Sequence, residues 1–175
     1  MANIFTARAR LRQVGANDSG WLLEHWSRSA VRRWLWDDRR PTVDEVTAIV
    51  DSSSRTWRDE GYGFWIIESP DDSAMLGTVG FREASWESGV CELVYSLEPE
   101  CWGKGFATEV ARAALEWAFT THGWPRIIAA TDTPNEMSSR VLGRIGMRLV
   151  REGDLESGLP TLFYEILRRG PGQSD

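Results

Sequence analysis

One junction constrains this chain more than any other. A strand-like run, Val90 to Leu97, enters the segment Pro99-Glu100-Cys101-Trp102-Gly103-Lys104-Gly105, and a strongly periodic helix follows at once. Ala107, Val110, Ala111, Ala114, Leu115 and Ala118 fall at i, i+3, i+4, i+7, i+8 and i+11, with Glu109, Arg112 and Glu116 opposite. One stripe of that helix must therefore be buried. A strand that passes into such a helix through two glycines aims several unpaired backbone N–H groups at one point. There the helix dipole adds roughly half a positive charge. The result is an anion cradle, suited to a phosphate or pyrophosphate. The alternative reading of Gly103 and Gly105 is a plain turn before a helix.

The elements around this junction alternate. Ala9 to Val14 reads as a short strand, and Asp18 is placed to cap a helix carrying Trp21, Leu22, His25 and Trp26. Thr42 and Glu45 have capping-box spacing ahead of Val46, Ile49 and Val50. Gly63 to Glu68, Met75 to Phe81 and Val90 to Leu97 read as an antiparallel meander, with turns at Pro70–Ser73 and Trp86–Gly89. After the periodic helix come a strand, Arg126 to Thr131, and a helix opened by Pro134-Asn135 and closed by Gly146. Arg148 to Glu152 and Thr161 to Leu167 are the last strands. The pattern predicts an α/β (α+β) fold, a mixed and mostly antiparallel sheet with helices on both faces.

With 175 residues and 42% hydrophobic content, the chain has material for one core. A single domain over residues 1–169 and a disordered tail over 170–175 are expected. The net charge of −6 argues against nucleic acid as a main partner and favours a cationic or amine-bearing one. Cys91 and Cys101 sit on or beside one strand, which suits reduced thiols and a cytoplasmic protein better than a disulfide framework. No apolar run approaches the ~20 residues that span a bilayer. His25 and His122 lack the spacing of metal ligands, so no metal is expected. An exposed edge near Thr161 to Leu167 would allow a homodimer as well as a monomer.

Several phosphate motifs are excluded. A Walker loop needs an earlier glycine and a hydroxyl after its lysine, and a dinucleotide fingerprint needs a third glycine where Thr108 stands. The kinase set of motifs is absent. What remains resembles the GNAT superfamily of acyl-CoA-dependent N-acyltransferases, over about Ala9 to Leu167. Trp102-Gly103-Lys104-Gly105-Phe106-Ala107 fits the Gln/Arg-x-x-Gly-x-Gly/Ala signature at every position but the first. Glu92-Leu93-Val94-Tyr95-Ser96-Leu97-Glu98-Pro99 with the following Trp-Gly-Lys-Gly-Phe-Ala-Thr-Glu looks most like the Rim branch, which acetylates protein N-termini and various small amines. Asn135-x-x-Ser138, leading to Ile145-Gly146-Met147, resembles the second family motif.

The resemblance implies a splayed central strand pair and acetyl-CoA as co-substrate. Its pyrophosphate would lie on the amides of Gly103, Lys104, Gly105, Phe106, Ala107 and Thr108. Its pantetheine arm would pair with the backbone of Tyr95, Ser96 and Leu97 and be met from the other side by Asn135. Lys104, and secondarily Arg140, would add charge near the phosphates. Glu92 is the candidate base, directly or through a water. By period-two alternation it shares a face with Val94 and Ser96; a salt-bridged strand residue is the alternative. The family's usual tyrosine, seven residues after the asparagine, is replaced by Leu142. A glutamate five residues before it, used as a base by some relatives, is replaced by Ala130. Ser138 is then the available proton donor, or a small residue closing the helix's first turn.

Trp117 and Trp21 lie beside apolar helix stripes and are expected in the core. Trp34, Trp36, Trp57 and Trp65, with Asp37 and Asp38, are candidates to line a pocket for a cationic acceptor. The expected activity is acetyl transfer from acetyl-CoA to a primary amine in a ternary complex. The rival expectation is a CoA-binding module without catalysis.

Overall fold

A computed structural model of the chain describes residues 3–155 and 158–168. The expected tail over 170–175 lies outside the described residues. In chain order the elements are β1 (Ile4–Phe5), β2 (Arg10–Gln13), α1 (Ser19–Ser27), α2 (Ser29–Leu35), α3 (Val43–Asp59), β3 (Phe64–Glu68), β4 (Met75–Ala84), β5 (Glu87–Leu97), α4 (Phe106–Thr121), β6 (Arg126–Asp132), α5 (Glu136–Arg144), β7 (Arg148–Asp154) and β8 (Pro160–Leu167). Short 3-10 turns, Ala16–Asp18 and Pro99–Cys101, precede α1 and α4.

The strands form one eight-stranded sheet in the order β1-β2-β3-β4-β5-β6-β8-β7. Every pairing is antiparallel except β5 with β6. The period-two rule decides where the apolar side chains go. On β3, Trp65 and Ile67 enter the core under α4 and α5, with Val110, Ala114, Leu115 and Leu142. Phe64 and Ile66 enter a second core under α1, α2 and α3, with Leu22, Trp26, Val31, Val46 and Val50. The sheet thus has helices on both faces, as its buried central strands require.

Four details differ from the sequence reading. The edge strand is β7, not the Thr161–Leu167 segment, because β8 is paired on both sides. The β4–β5 turn sits at Ser85–Trp86, so Glu87 to Gly89 already belong to the strand. Asp18 makes no side-chain cap on α1. Its buried carboxylate instead accepts from Gly15 N–H at 2.7 Å and pairs with Arg12, a stronger partner than a helix end. Two short elements, β1 and α2, are too brief to carry a periodic signal. The Thr42–Glu45 capping box forms as read, with Glu45 N–H donating to Thr42 Oγ1 at 3.2 Å and Thr42 N–H to Glu45 Oε2 at 2.8 Å.

Candidate active site

The two middle strands part company. β5 and β6 share a single register pair, Glu92 with Ile128. Beyond it they diverge, while β5 stays paired to β4 as far as Leu97. The cleft left between them opens into a groove of about 820 Å³ that runs from the start of α4 past α5 to α2.

At one end of the groove is the glycine junction. Gly103 and Gly105 have φ of 71° and 81°, which only glycine adopts without strain, and Gly105 is the N-cap of α4. A Cβ on Gly103 would meet nothing within 4 Å, so the backbone there faces open space. The first amide of α4 to reach a carbonyl is Glu109, bonded to Gly105 O at 3.1 Å. The N–H groups of the turn before it point out of the helix end. Thr108 Oγ1, also in this first turn, is buried and has no hydrogen-bond partner among the described residues. The Trp102 indole closes the corner, its Nε1–H donating to Leu97 O at 2.9 Å.

A residue with no local sequence signal braces this corner. Arg8, from the β1–β2 loop, donates to Lys104 O at 2.9 Å and to Glu109 Oε2 at 2.7 Å, and its guanidinium lies 4.3 Å from the Phe106 ring centre. Its own backbone N–H binds Glu109 Oε1 at 2.9 Å. The Lys104 side chain is exposed and does not line the groove, whereas Arg140 does, paired with Glu136 at 2.6 Å.

Along the groove, β5 presents two sets of groups. Tyr95 faces α5, and its hydroxyl stands 2.8 Å from Ser138 Oγ. Asn135 caps α5 by accepting from Ser138 N–H at 3.2 Å, which uses its oxygen and leaves its NH2 group for the groove. Leu142 is buried in the core, so the position of the family's usual tyrosine supplies no polar group here. On the other face, Glu92 is almost fully buried and opposite Arg82, whose Nε donates to Glu92 Oε2 at 2.7 Å. Burial pushes the Glu92 carboxyl above the ordinary range, against the charge and hydrogen bond of Arg82.

Ser96 shares that face and joins a chain of polar groups that sequence reading missed. Its Oγ lies 2.9 Å from His25 Nε2 and 3.0 Å from Thr78 Oγ1, and His25 Nδ1 lies 2.9 Å from Glu98 Oε1. His25 is lowered to about 4, first by burial and then by the charge of Arg28. Arg28 also pairs with Glu98, so that carboxylate is neutralised by the guanidinium and the imidazole stays uncharged. The histidine thus ties α1 to β5 rather than binding a metal. Among the described residues no group of acidic, histidine or cysteine side chains has the makings of a metal site.

Trp34, Asp37 and Asp132 also line the groove, and Asp37 lies near enough to Asp132 to help raise its pKa, after burial. Trp65 is not there. It is fully buried, edge-on to Trp57 and Trp117, because an inward position on a central strand delivers it to the core. Trp57 packs with it, and Trp36 packs against Trp26, so of the four tryptophans only Trp34 lines the groove. Asp38 points away and pairs with Arg32 at 3.0 Å.

Residues 8–148 match the model of the acetyltransferase (GNAT) domain. The chain belongs to the GNAT acetyltransferases. It is 27% identical to the uncharacterized N-acetyltransferase YoaA of Bacillus subtilis, over 93% of this chain and 95% of that one. A GNAT-family acetyltransferase from Bacillus anthracis superposes with a TM-score of 0.78 at 23% identity, covering 95% of this chain and 99% of the other. RimL, described as a ribosomal L7/L12 alpha-N-protein acetyltransferase in complex with coenzyme A, superposes with a TM-score of 0.78 at 14% identity, covering 95% and 98%. At these identities the two structures speak for the fold, and no single branch of the GNAT acetyltransferases is singled out. No helix among the described residues of this GNAT chain is long and apolar enough to cross a membrane.

Proposed function

We propose that this GNAT acetyltransferase moves an acetyl group from acetyl-CoA to a primary amine by direct attack within a ternary complex, in the manner of the Rim branch. The observation that carries the reading is the parting of β5 from β6 immediately after Glu92. It leaves one groove lined by the glycine corner, by the buried Glu92 carboxylate and by Trp34, Asp37 and Asp132.

The residues present fit coenzyme A. Thr108 Oγ1 is an unpartnered buried hydroxyl beside the outward N–H groups of the Gly103–Thr108 turn, as a diphosphate ligand needs. The diverging edge of β5 at Tyr95 to Leu97 offers backbone groups to an amide-bearing arm, and the Asn135 NH2 group faces it. When bound, acetyl-CoA supplies an activated acyl carbonyl. Glu92, with its raised pKa, accepts a proton from the ammonium form of the acceptor, directly or through a water, so that the neutral amine can attack. A lysine-like amine near ~10.4 depends on this more than an α-amine near ~8. Backbone N–H groups of the splayed strand stabilise the oxyanion, and Ser138 answers the departing sulfur.

Neither cysteine is suited to carry the acyl group. Burial raises the Cys91 thiol to about 11 and the Cys101 thiol above its ordinary value, which disfavours the thiolate a nucleophile needs. The acceptor is read as a cation, a protein N-terminus or a small amine, because Trp34, Asp37 and Asp132 line the groove. RimL, whose description names a protein α-amine, supports this reading. The test is release of free thiol from acetyl-CoA with and without a panel of amines and N-terminal peptides. Saturable release only when an amine is present is expected. Tight CoA binding with no turnover on any amine would overturn the reading.

A further inference from the structure

Tyr95 and Ser138 come from opposite sides of the cleft, one on β5 and one in the first turn of α5, yet their hydroxyls meet at 2.8 Å inside the groove. The Tyr95 hydroxyl also donates to Ser138 O at 3.3 Å. A phenol is a stronger acid than an alcohol, so we read Tyr95 as the donor, its single proton shared between Ser138 O and the nearer Ser138 Oγ. That leaves the Ser138 proton with no acceptor on this partner, free to point into the groove. Leu142, in the core, offers nothing there. We propose that Tyr95 is a positioning residue that turns the Ser138 hydroxyl into a fixed hydrogen-bond donor for the sulfur of coenzyme A, stabilising it as a departing thiolate.

The inference rests on the acetyl-transfer reading and alters one step of it. As the carbon–nitrogen bond forms and the carbon–sulfur bond breaks, the electron pair leaves on sulfur. Glu92 passes the ammonium's first proton on to water before the attack and takes the nitrogen's second proton as the amide forms, and the thiolate takes its own proton when it reaches water. Ser138 need not give its proton up, since a serine alkoxide is a far stronger base than a thiolate near ~8.5. Tyr95 holds its proton too: burial raises its hydroxyl to about 12 against the hydrogen bond with Ser138, and the neighbouring Tyr164 adds to the rise. The pair works as an oxyanion hole works, with donors aimed where charge develops. Arg140 and Asp132 line the same groove, and both persist in the variants below, so they do not distinguish them.

The test reads the thiol of bound coenzyme A directly. Titrating the ultraviolet absorbance of its thiolate in complex with wild type, Tyr95→Phe and Ser138→Ala gives a pKa without turnover. A hydrogen bond to the charged form lowers it, so wild type is expected about one unit below Ser138→Ala. Tyr95→Phe should fall at or near Ser138→Ala, and the double variant should add nothing further. In turnover, Tyr95→Phe should lose about tenfold in kcat in the wild-type background and nothing in the Ser138→Ala background. Equal thiol pKa values in wild type and Tyr95→Phe, with coenzyme A bound to both, would overturn the proposal and leave the acetyl-transfer reading standing. Failure of coenzyme A to bind wild type at all would instead remove that reading.

Discussion

Arg82 and Glu92 face each other across β4 and β5 in direct register, with Nε 2.7 Å from Oε2, and the arginine is half exposed while the carboxylate is nearly sealed. The pair holds a carboxylate in a nearly sealed position on the wall of the groove. Burial pushes the Glu92 pKa up, and the charge and hydrogen bond of Arg82 oppose the rise.

Glu92→Gln should therefore lower kcat by about 10²–10⁴ with little change in acetyl-CoA affinity, and should erase the acid limb of the pH–rate profile. Arg82→Ala should move that limb upward, because only the restraining influence is lost. The sign of the stability effect is opposite to that of activity. A carboxyl raised in the folded state favours folding at low pH and costs stability as pH rises through its folded pKa. Glu92→Gln should melt at or above the parent's temperature at neutral pH. A variant that keeps full kcat, measured by thiol release, would remove Glu92 as the base.

The Arg8 brace predicts a binding phenotype far from any ligand-facing side chain. Its contact with Glu109 is partly exposed, so the ion pair itself contributes only about 0–1 kcal/mol. Arg8→Ala should weaken coenzyme A about three- to fivefold by calorimetry, through a looser Lys104–Phe106 backbone. Glu109→Gln should do the same, and the double variant should be no worse than either alone.

Two glycines separate packing from ligand space. At Gly77 a Cβ would lie 2.2 Å from Ser96 O and 2.8 Å from Leu97 Cα, both backbone atoms. Gly77→Ala should cost about 3 kcal/mol or prevent folding, measured by urea denaturation. At Gly103 the same Cβ meets nothing, so Gly103→Ala should cost only about 1 kcal/mol for its positive φ. Its larger effect should fall on coenzyme A affinity, since the added methyl projects where the diphosphate is placed.

His25 gives the fold an acid-sensitive point. Its pKa falls from 6.5 to about 4 on folding, so the unfolded chain binds the extra proton between those values. The stability contributed by the neutral imidazole is present above pH 6.5 and lost as pH falls towards about 4, on the order of 3 kcal/mol in all. Glu98, raised by burial, opposes part of this loss. Denaturation midpoints across that window should fall with pH for wild type. His25→Gln should show a flatter dependence.

Local chemistry was legible wherever one stretch of chain settles its own conformation. The α4 stripe, the Thr42–Glu45 capping box and the helix opened at Pro134-Asn135 all form as the residues read. The Arg82–Glu92 pair was not legible, because an irregularity between Glu83 and Ala84 shifts the register that the Ser85–Trp86 turn alone would set.

Residues far apart in the chain were settled differently. Nothing near Arg8 tells that it will brace Lys104, some 96 positions away, or that His25 will meet Ser96 and Glu98. A tryptophan reads the same whether it lines a groove, as Trp34 does, or fills a core, as Trp65 does. Sequence alone set the period, caps and turns of this chain, and with them the glycine corner that opens α4, because backbone hydrogen bonding and side-chain alternation act over a few residues. The parting of β5 from β6, the meeting of Tyr95 with Ser138 and the edge position of β7 were decided only by tertiary packing, where each side chain's partner depends on how whole strands and helices are stacked.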